Sequence, residues 1–145
     1  MFFGQCTLPL SENNQLSLPS NYREAGNNAV YITQGFDRNL FVLSPQTFNA
    51  LYLRMKDNSI SDPLARLLNR LFLSSATLVM MDDSGQIEIP VALREYAELG
   101  AEIAVIGQGE YLEIWSSGQW QKQLDGLKDY EANSHRFEKF NVSLS

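Results

Sequence analysis

The sequence predicts an α+β, β-rich fold in which two repeats complete one β-barrel-like core with helices outside. Three observations carry this expectation. The chain aligns with itself: LPLSENNQLSLPSNYR lies over VMMDDSGQIEIPVALR, so that Gln15 falls on Gln86, Pro19 on Pro90 and Arg23 on Arg94, the mark of an internal repeat. A second block follows in the same order, with Gln34-Gly35 on Gln108-Gly109, Leu40 on Leu112 and Phe48 on Trp120. Finally, short runs of alternating apolar residues between turn residues read as strands, and two longer runs carry helical spacing.

Each repeat opens on a hairpin. Leu8 and Leu10 alternate with polar or turn residues, as do Leu16 and Leu18, and SENN in repeat 1 and DDSG in repeat 2 separate the two runs. Asn and Gly tolerate the positive φ that a tight hairpin demands. A proline ends the second strand, and Pro90 opens a short helix, PVALREYAEL, because proline suits the first helical turn. Two strands rich in β-branched and aromatic residues come next: AVYIT with LFVL, and IAVIG with LEIW.

Each repeat closes on a helix. Ser44-Pro45 supplies an N-cap and a first-turn proline. Phe48, Leu51, Tyr52 and Met55 then recur on one face. Asp62-Pro63 restarts a helix with Leu64, Leu67, Leu68, Leu71 and Phe72 on one face and Arg66 and Arg70 on the other. Trp120, Leu124 and Leu127 form a weaker stripe interrupted by Gly126, and the tail from about Asp129 has little periodicity, frayed or docked on a partner. The expected division is 5–47 for repeat 1, 48–75 for linker helices, 76–119 for repeat 2 and 120–145 for a C-terminal helix and tail. Halves of this size rarely bury a sufficient core alone, so one unit is expected rather than two.

Composition narrows the function. The 145 residues carry 17 acidic and 11 basic side chains, a net charge of −6 and a pI near 4.7, which argues against coating nucleic acid by bulk electrostatics. No apolar run spans a membrane, and MFFGQC has no signal-peptide pattern, so a cytoplasmic location is expected. One cysteine, Cys6, and one histidine, His135, cannot make a disulfide within the chain or a zinc site. Cys6 is expected to be a small buried hydrophobe and His135 to be solvated. Carboxylate pairs occur at Asp82-Asp83 and Glu95/Glu98, but no histidine accompanies them, and GQGEYLE is a turn between strands rather than a phosphate loop. No catalytic residue, metal or cofactor is expected.

Two hairpins ending in a proline, followed by LEIW and GQ, resemble the MraZ family over nearly the whole chain; MFFGQ, RLLNRLFLSSATLVMMDDSGQIEIPVALREYAEL and VIGQGEYLEIW carry the likeness. The resemblance implies tandem SpoVT/AbrB-like modules in an intertwined swapped-hairpin fold. It also implies a DNA-binding transcriptional regulator, assembled into a homo-oligomeric ring, acting on direct repeats ahead of the division and cell-wall gene cluster, in the cytoplasm and nucleoid.

The chain departs from the family's Asp-x-x-x-Arg hairpin, which usually has Gly before the Arg. Repeat 1 has Ser11 for the Asp, Asn14 for the Gly and Gln15 for the Arg; repeat 2 keeps Asp82 and Gly85 but has Gln86. Phe3 and Asn13 stand where basic residues are frequent, and residues 1 to 22 contain no Lys or Arg. Arginine forks onto guanine or phosphate and displaces counterions, whereas glutamine and asparagine still pair with adenine N6/N7. The expected nucleic-acid contacts are therefore Asn13, Asn14, Gln15 and Arg23, each weak, with avidity supplied by the ring. Arg23 and Arg94 recur, which suggests a shared structural role such as pairing with a nearby acid. The alternative is a ring-forming protein-interaction module of the same fold with weak or lost DNA binding.

Overall fold

The short alternating runs pair across the repeats rather than within them. In the computed structural model, which describes residues 1–24, 28–140 and 142 and only the backbone of Arg23 and Glu24, repeat 1 forms β1 (Gln5–Pro9), β2 (Gln15–Ser17), α1 (Ser20–Glu24), β3 (Ala29–Gln34) and β4 (Leu40–Leu43). After α2 (Pro45–Met55) and α3 (Pro63–Leu73), the same order returns as β5 (Thr77–Met80), β6 (Gln86–Glu88), α4 (Val91–Tyr96), β7 (Glu102–Gly107) and β8 (Leu112–Ser116). Helices α5 (Ser117–Gly126) and α6 (Tyr130–Arg136) follow.

Six strands form an antiparallel sheet in the order β1-β7-β8-β4-β3-β5, and β2 pairs with β6 in a separate two-stranded ribbon. The first strand of each repeat pairs with the third strand of the other, β1 with β7 and β5 with β3. The sheet therefore reads the same from either edge, first, third and fourth strand, with β8 against β4 at its centre.

The closed barrel expected from the sequence is not formed. Closure needs edge strands to meet with a fixed stagger, and this pairing places β1 and β5 at opposite ends. The sheet is instead covered on both faces. On one side Val30, Ile32, Leu40 and Val42 meet Ile103, Val105, Leu112 and Ile114 under Leu16, Leu18, Ile87, Ile89 and Leu93 from the ribbon and its helix. On the other, α2 and α3 pack Phe48, Met55 and Phe72 on Tyr31, Phe41 and Leu43, while Trp120 of α5 packs on Trp115.

The helix starts behave as their sequence dictates. Ser44 Oγ accepts from Thr47 N at 3.1 Å, Asp62 Oδ1 from Leu64 N at 2.9 Å and Ser116 Oγ from Gln119 N at 3.2 Å, each cap worth about 1 kcal/mol. Three apolar stripes are only partly used. Leu68, Leu71 and Phe72 turn inward, but Leu64 and Leu67 are exposed, because α3 meets the sheet by its C-terminal half. There Thr33 Oγ1 donates to Phe72 O at 2.6 Å and shares a bond with Ser75 Oγ at 2.8 Å. Of the α2 stripe, Tyr52 faces out; of the α5 stripe, Leu127 does.

Cys6 is exposed rather than buried. It points to the inner face opposite Val105, but β1 is an edge strand, with no strand paired beyond it among the described residues. The tail of little periodicity, expected to be frayed or docked on a partner, contains α6, whose start is capped by Asp129. Among the described residues no helix is long and apolar enough to cross a membrane.

The N-terminus is folded against repeat 2. Phe2 and Gly109 exchange two backbone bonds of 2.7 Å, and Gly107 N donates to Gly4 O at 2.8 Å. A Cβ on Gly107 would lie 2.5 Å from the backbone of Phe2 and Phe3, so glycine is required there. Phe2 stacks on Tyr22 with centroids 4.8 Å apart. The Tyr22 hydroxyl is buried with no hydrogen-bond partner among the described residues, and burial pushes its phenol well above the usual tyrosine range. An unsatisfied buried hydroxyl costs about 1–3 kcal/mol. Tyr22→Phe is therefore expected to stabilise the fold by about 1 kcal/mol in urea unfolding; a loss of stability would mean that the hydroxyl is bonded.

Candidate nucleic-acid interface

The two hairpin turns use the same backbone device with different residues. In repeat 2, Asp82 Oδ1 accepts from Ser84 N at 2.9 Å and Gln86 N at 2.8 Å, Asp82 N donates to Gln86 O at 3.0 Å, and Gly85 has φ +80°. In repeat 1, Ser11 Oγ accepts from Gln15 N at 3.0 Å, Ser11 N donates to Gln15 O at 3.1 Å, and Asn14 has φ +60°. Ser11 thus replaces one of two carboxylate bonds, and Asn14 takes the left-handed position that Gly85 fills without strain.

The ribbon brings the turns side by side. Leu16 lies opposite Ile87, Gln15 opposite Glu88 and Ser17 opposite Gln86. Leu18 N donates to Gly85 O and Ile89 N to Asn14 O, both at 3.1 Å, so each strand end is held by the other repeat's turn. With Leu16 and Ile87 buried, strand alternation turns the flanking pairs outward. That outward face carries Gln15, Glu88, Ser17 and Gln86, with Gln86 Nε2 3.5 Å from Ser17 Oγ.

Asn13 is exposed at the turn, and Asn14 and Gln15 are half-buried. These three lie together at one tip. Arg23 lies on α1; its side chain is outside the described part, so its expected contact has no geometry here. Its counterpart Arg94 is half-buried and donates Nε to Ile89 O at 2.9 Å. The partner of Arg94 is thus a carbonyl at the end of β6, not the acid expected from the sequence. It fixes the ribbon to α4.

Charge at the tips is one-sided. Residues 1–22 and 71–93 contain Glu12, Asp82, Asp83 and Glu88 and no Lys or Arg. Other cations are described away from the tips: Arg54 and Arg70 on α2 and α3 are exposed, and Arg66 Nη1 donates to Ile60 O at 3.0 Å. Arg38 sits over the Tyr96 ring, 5.3 Å from its centroid. Glu88 beside Gln15 is the residue that sequence reasoning passed over. Its signal was the alternation Gln86-Ile87-Glu88: once Ile87 is inside, Glu88 is outside.

Comparison with known proteins adds to this geometry. A family profile described as "MraZ protein, putative antitoxin-like" matches residues 72–141. The "Transcriptional regulator MraZ" of Alkaliphilus metalliredigens is 35% identical over 143 residues, 98% of this chain and 100% of that protein. Proteins of the same name from Paenarthrobacter aurescens and Clavibacter michiganensis are 37% and 38% identical, each covering 86% of this chain and 87% of the relative. Identity of this extent, over both repeats and their paired hairpin turns, establishes that the chain belongs to the MraZ family.

Proposed function

We propose that this chain is a DNA-binding transcriptional regulator that holds DNA weakly at each pair of hairpin turns and gains affinity from several pairs in one ring. The observation that carries this reading is the ribbon: it sets two equivalent turns together and turns Gln15 and Gln86 to the same outer face. Side-chain amides of this kind hydrogen-bond adenine edges without adding charge. With four carboxylates and no Lys or Arg in residues 1–22 and 71–93, binding by one subunit would be weak and only shallowly salt-dependent. Linking several sites raises effective concentration and makes weak sites sufficient.

The finer reading follows the family resemblance. The targets are direct repeats ahead of the division and cell-wall gene cluster, and the protein works in the cytoplasm and nucleoid without catalysis, membrane or small-molecule partner. The 5–47 and 76–119 segments act as swapped-hairpin SpoVT/AbrB-like modules, joined by 48–75 and followed by 120–145; the exchange of first strands between repeats supports this division. The test is electrophoretic shift with the DNA upstream of the chain's own gene. A shift at micromolar protein and low salt, weakened by mixing in Asn13→Ala and Gln15→Ala, is the expected result. No shift under those conditions rejects the reading.

One observation favours the second reading, a ring-forming interaction module without DNA affinity. Glu12, Asp82, Asp83 and Glu88 give the tips a negative field, which repels phosphate within a Debye length of about 8 Å at physiological salt. On that reading the tips contact a protein, and the shift assay is negative while the ring persists.

A further inference from the structure

An open groove of about 860 Å³ lies over the outer sheet face, between β4, the β7–β8 turn and helices α2 and α3. Its wall is aromatic. Phe41 contacts Phe72 and Tyr111 at 5.6 and 5.0 Å, and Phe36 contacts Phe41 and Phe72 at 5.9 and 5.7 Å. Phe36 is nevertheless 61% exposed, on the rim. Asp37, Glu110 and Glu113 also line the groove, and burial together with the Glu113 charge raises the Tyr111 phenol above its usual value. Aromatic faces beside carboxylates are a receptor for a segment that pairs rings with cations.

The C-terminal segment of the chain is such a segment. Phe137 and Phe140 are exposed. Each ring has a cation above it, Arg136 at 5.4 Å from the Phe137 centroid and the Lys139 ammonium at 5.2 Å from that of Phe140. Among the described residues, the polar contacts of α6 are local: Asn133 to Leu127 O, Arg136 to Gly126 O, His135 to Glu138. By its place in repeat 2 the segment corresponds to α3, which in repeat 1 packs Phe72 on Phe41; α6 has no buried residue.

Helix α5, which leads into the segment, reaches towards the β1 edge, whereas α2 and α3, which border the groove, pack on β3 and β4. α5 lies over β7 and β8, and its Trp120 donates to Gln5 on the β1 edge at 2.8 Å. The groove lies beside α2 and α3, over β4 and the β7–β8 turn. We propose that Phe137 and Phe140 of one copy, with Arg136 and Lys139, dock in the Phe36–Phe41–Phe72–Tyr111 groove of a second copy. This rests on the reading that the chain self-associates. It names the joint, a head-to-tail contact that closes into a ring when its rotation permits. Aromatic anchors in a pocket of this kind dominate interface energetics.

The test uses the full chain. With the photo-reactive substitution Phe140→p-benzoylphenylalanine in a mixture of heavy- and light-isotope protein, irradiation is expected to join different copies, with the cross-link on groove residues such as Phe36 or Ala50. Cross-links confined to one copy, or to a different surface of the neighbour, overturn the proposal. In parallel, the surface substitutions Phe137→Glu with Phe140→Glu, and separately Ala50→Arg in the groove, are expected to lower the light-scattering mass by about twofold or more at micromolar protein. The far-UV spectrum is expected to stay unchanged, since none of these side chains is buried. If the wild type is an oligomer and both variants keep its mass, the docking fails and self-association stands. If the wild type is itself monomeric, both fail.

Discussion

Substituting arginine at both signature positions, Gln15→Arg with Gln86→Arg, is expected to strengthen binding to the upstream DNA by on the order of 10- to 100-fold per engaged pair of turns. The estimate follows from the value of a hydrogen bond to a charged group, about 1.5–3 kcal/mol, against a neutral amide bond of roughly half that strength. The backbone needs no change to accept the substitutions: each turn is closed by Ser11 or Asp82 and by the left-handed Asn14 or Gly85, not by the glutamine side chains. Gln15 faces Glu88 across the ribbon, so an arginine there has a carboxylate to pair with, which offsets part of the gain. Gln86 faces Ser17 and carries no such penalty, and Gln86→Arg alone should exceed Gln15→Arg alone. A second readout separates charge from base reading: the slope of log affinity against log salt should steepen by about 0.9 for each phosphate newly neutralised. Unchanged affinity and slope would place the DNA elsewhere on the surface. Binding that exists only in the variant would favour the interaction-module reading for the native chain.

The parts of this molecule that are local were legible in its sequence. The turn positions, the helix caps at Ser44 and Asp62 and the alternation that buries Leu16 and Ile87 all follow from residue type and spacing within a few positions. The repeat itself could be read because the two ribbon strands occupy equivalent places and need the same apolar residues. Non-local pairing left no such trace. Nothing in Leu8 or Val79 distinguishes pairing with the strand next in sequence from pairing with the third strand of the other repeat, because both choices bury the same side chains. The open sheet, the edge position that exposes Cys6 and the outward half of α3 all follow from that choice. Charge was the opposite case: the absence of Lys and Arg from residues 1–22 and 71–93 is visible in the sequence. Only the ribbon shows that these two stretches share one surface, and that Glu88 stands beside Gln15.

Leu16→Ala is expected to be the most damaging single substitution for this surface, destabilising the protein by about 2–5 kcal/mol, the range for truncating a buried leucine. Leu16 has no exposed area and lies opposite Ile87, which is 1% exposed. The two side chains are the inward-facing pair of a ribbon that has only three residues on each strand. A long strand could redistribute the loss along its ladder. Here Gln15, Glu88, Ser17 and Gln86 point outward, so the ribbon's grip on the sheet passes through this pair and through Leu18 and Ile89 at its ends. Losing it should loosen the tips before the sheet unfolds, because β1–β7 and β3–β5 pairing does not involve the ribbon. Hydrogen exchange should then rise first at Gln15 N and Gln86 N, whose acceptors are Ser11 and Asp82. Ile87→Ala should do the same from the other repeat, and because the two residues are paired the double substitution should cost less or more than the sum by about 0.5–3 kcal/mol. Additive effects, or uniform loss of protection across the sheet, would mean that the ribbon and the six-stranded sheet unfold as one unit and that the hairpin tips have no separate stability to lose.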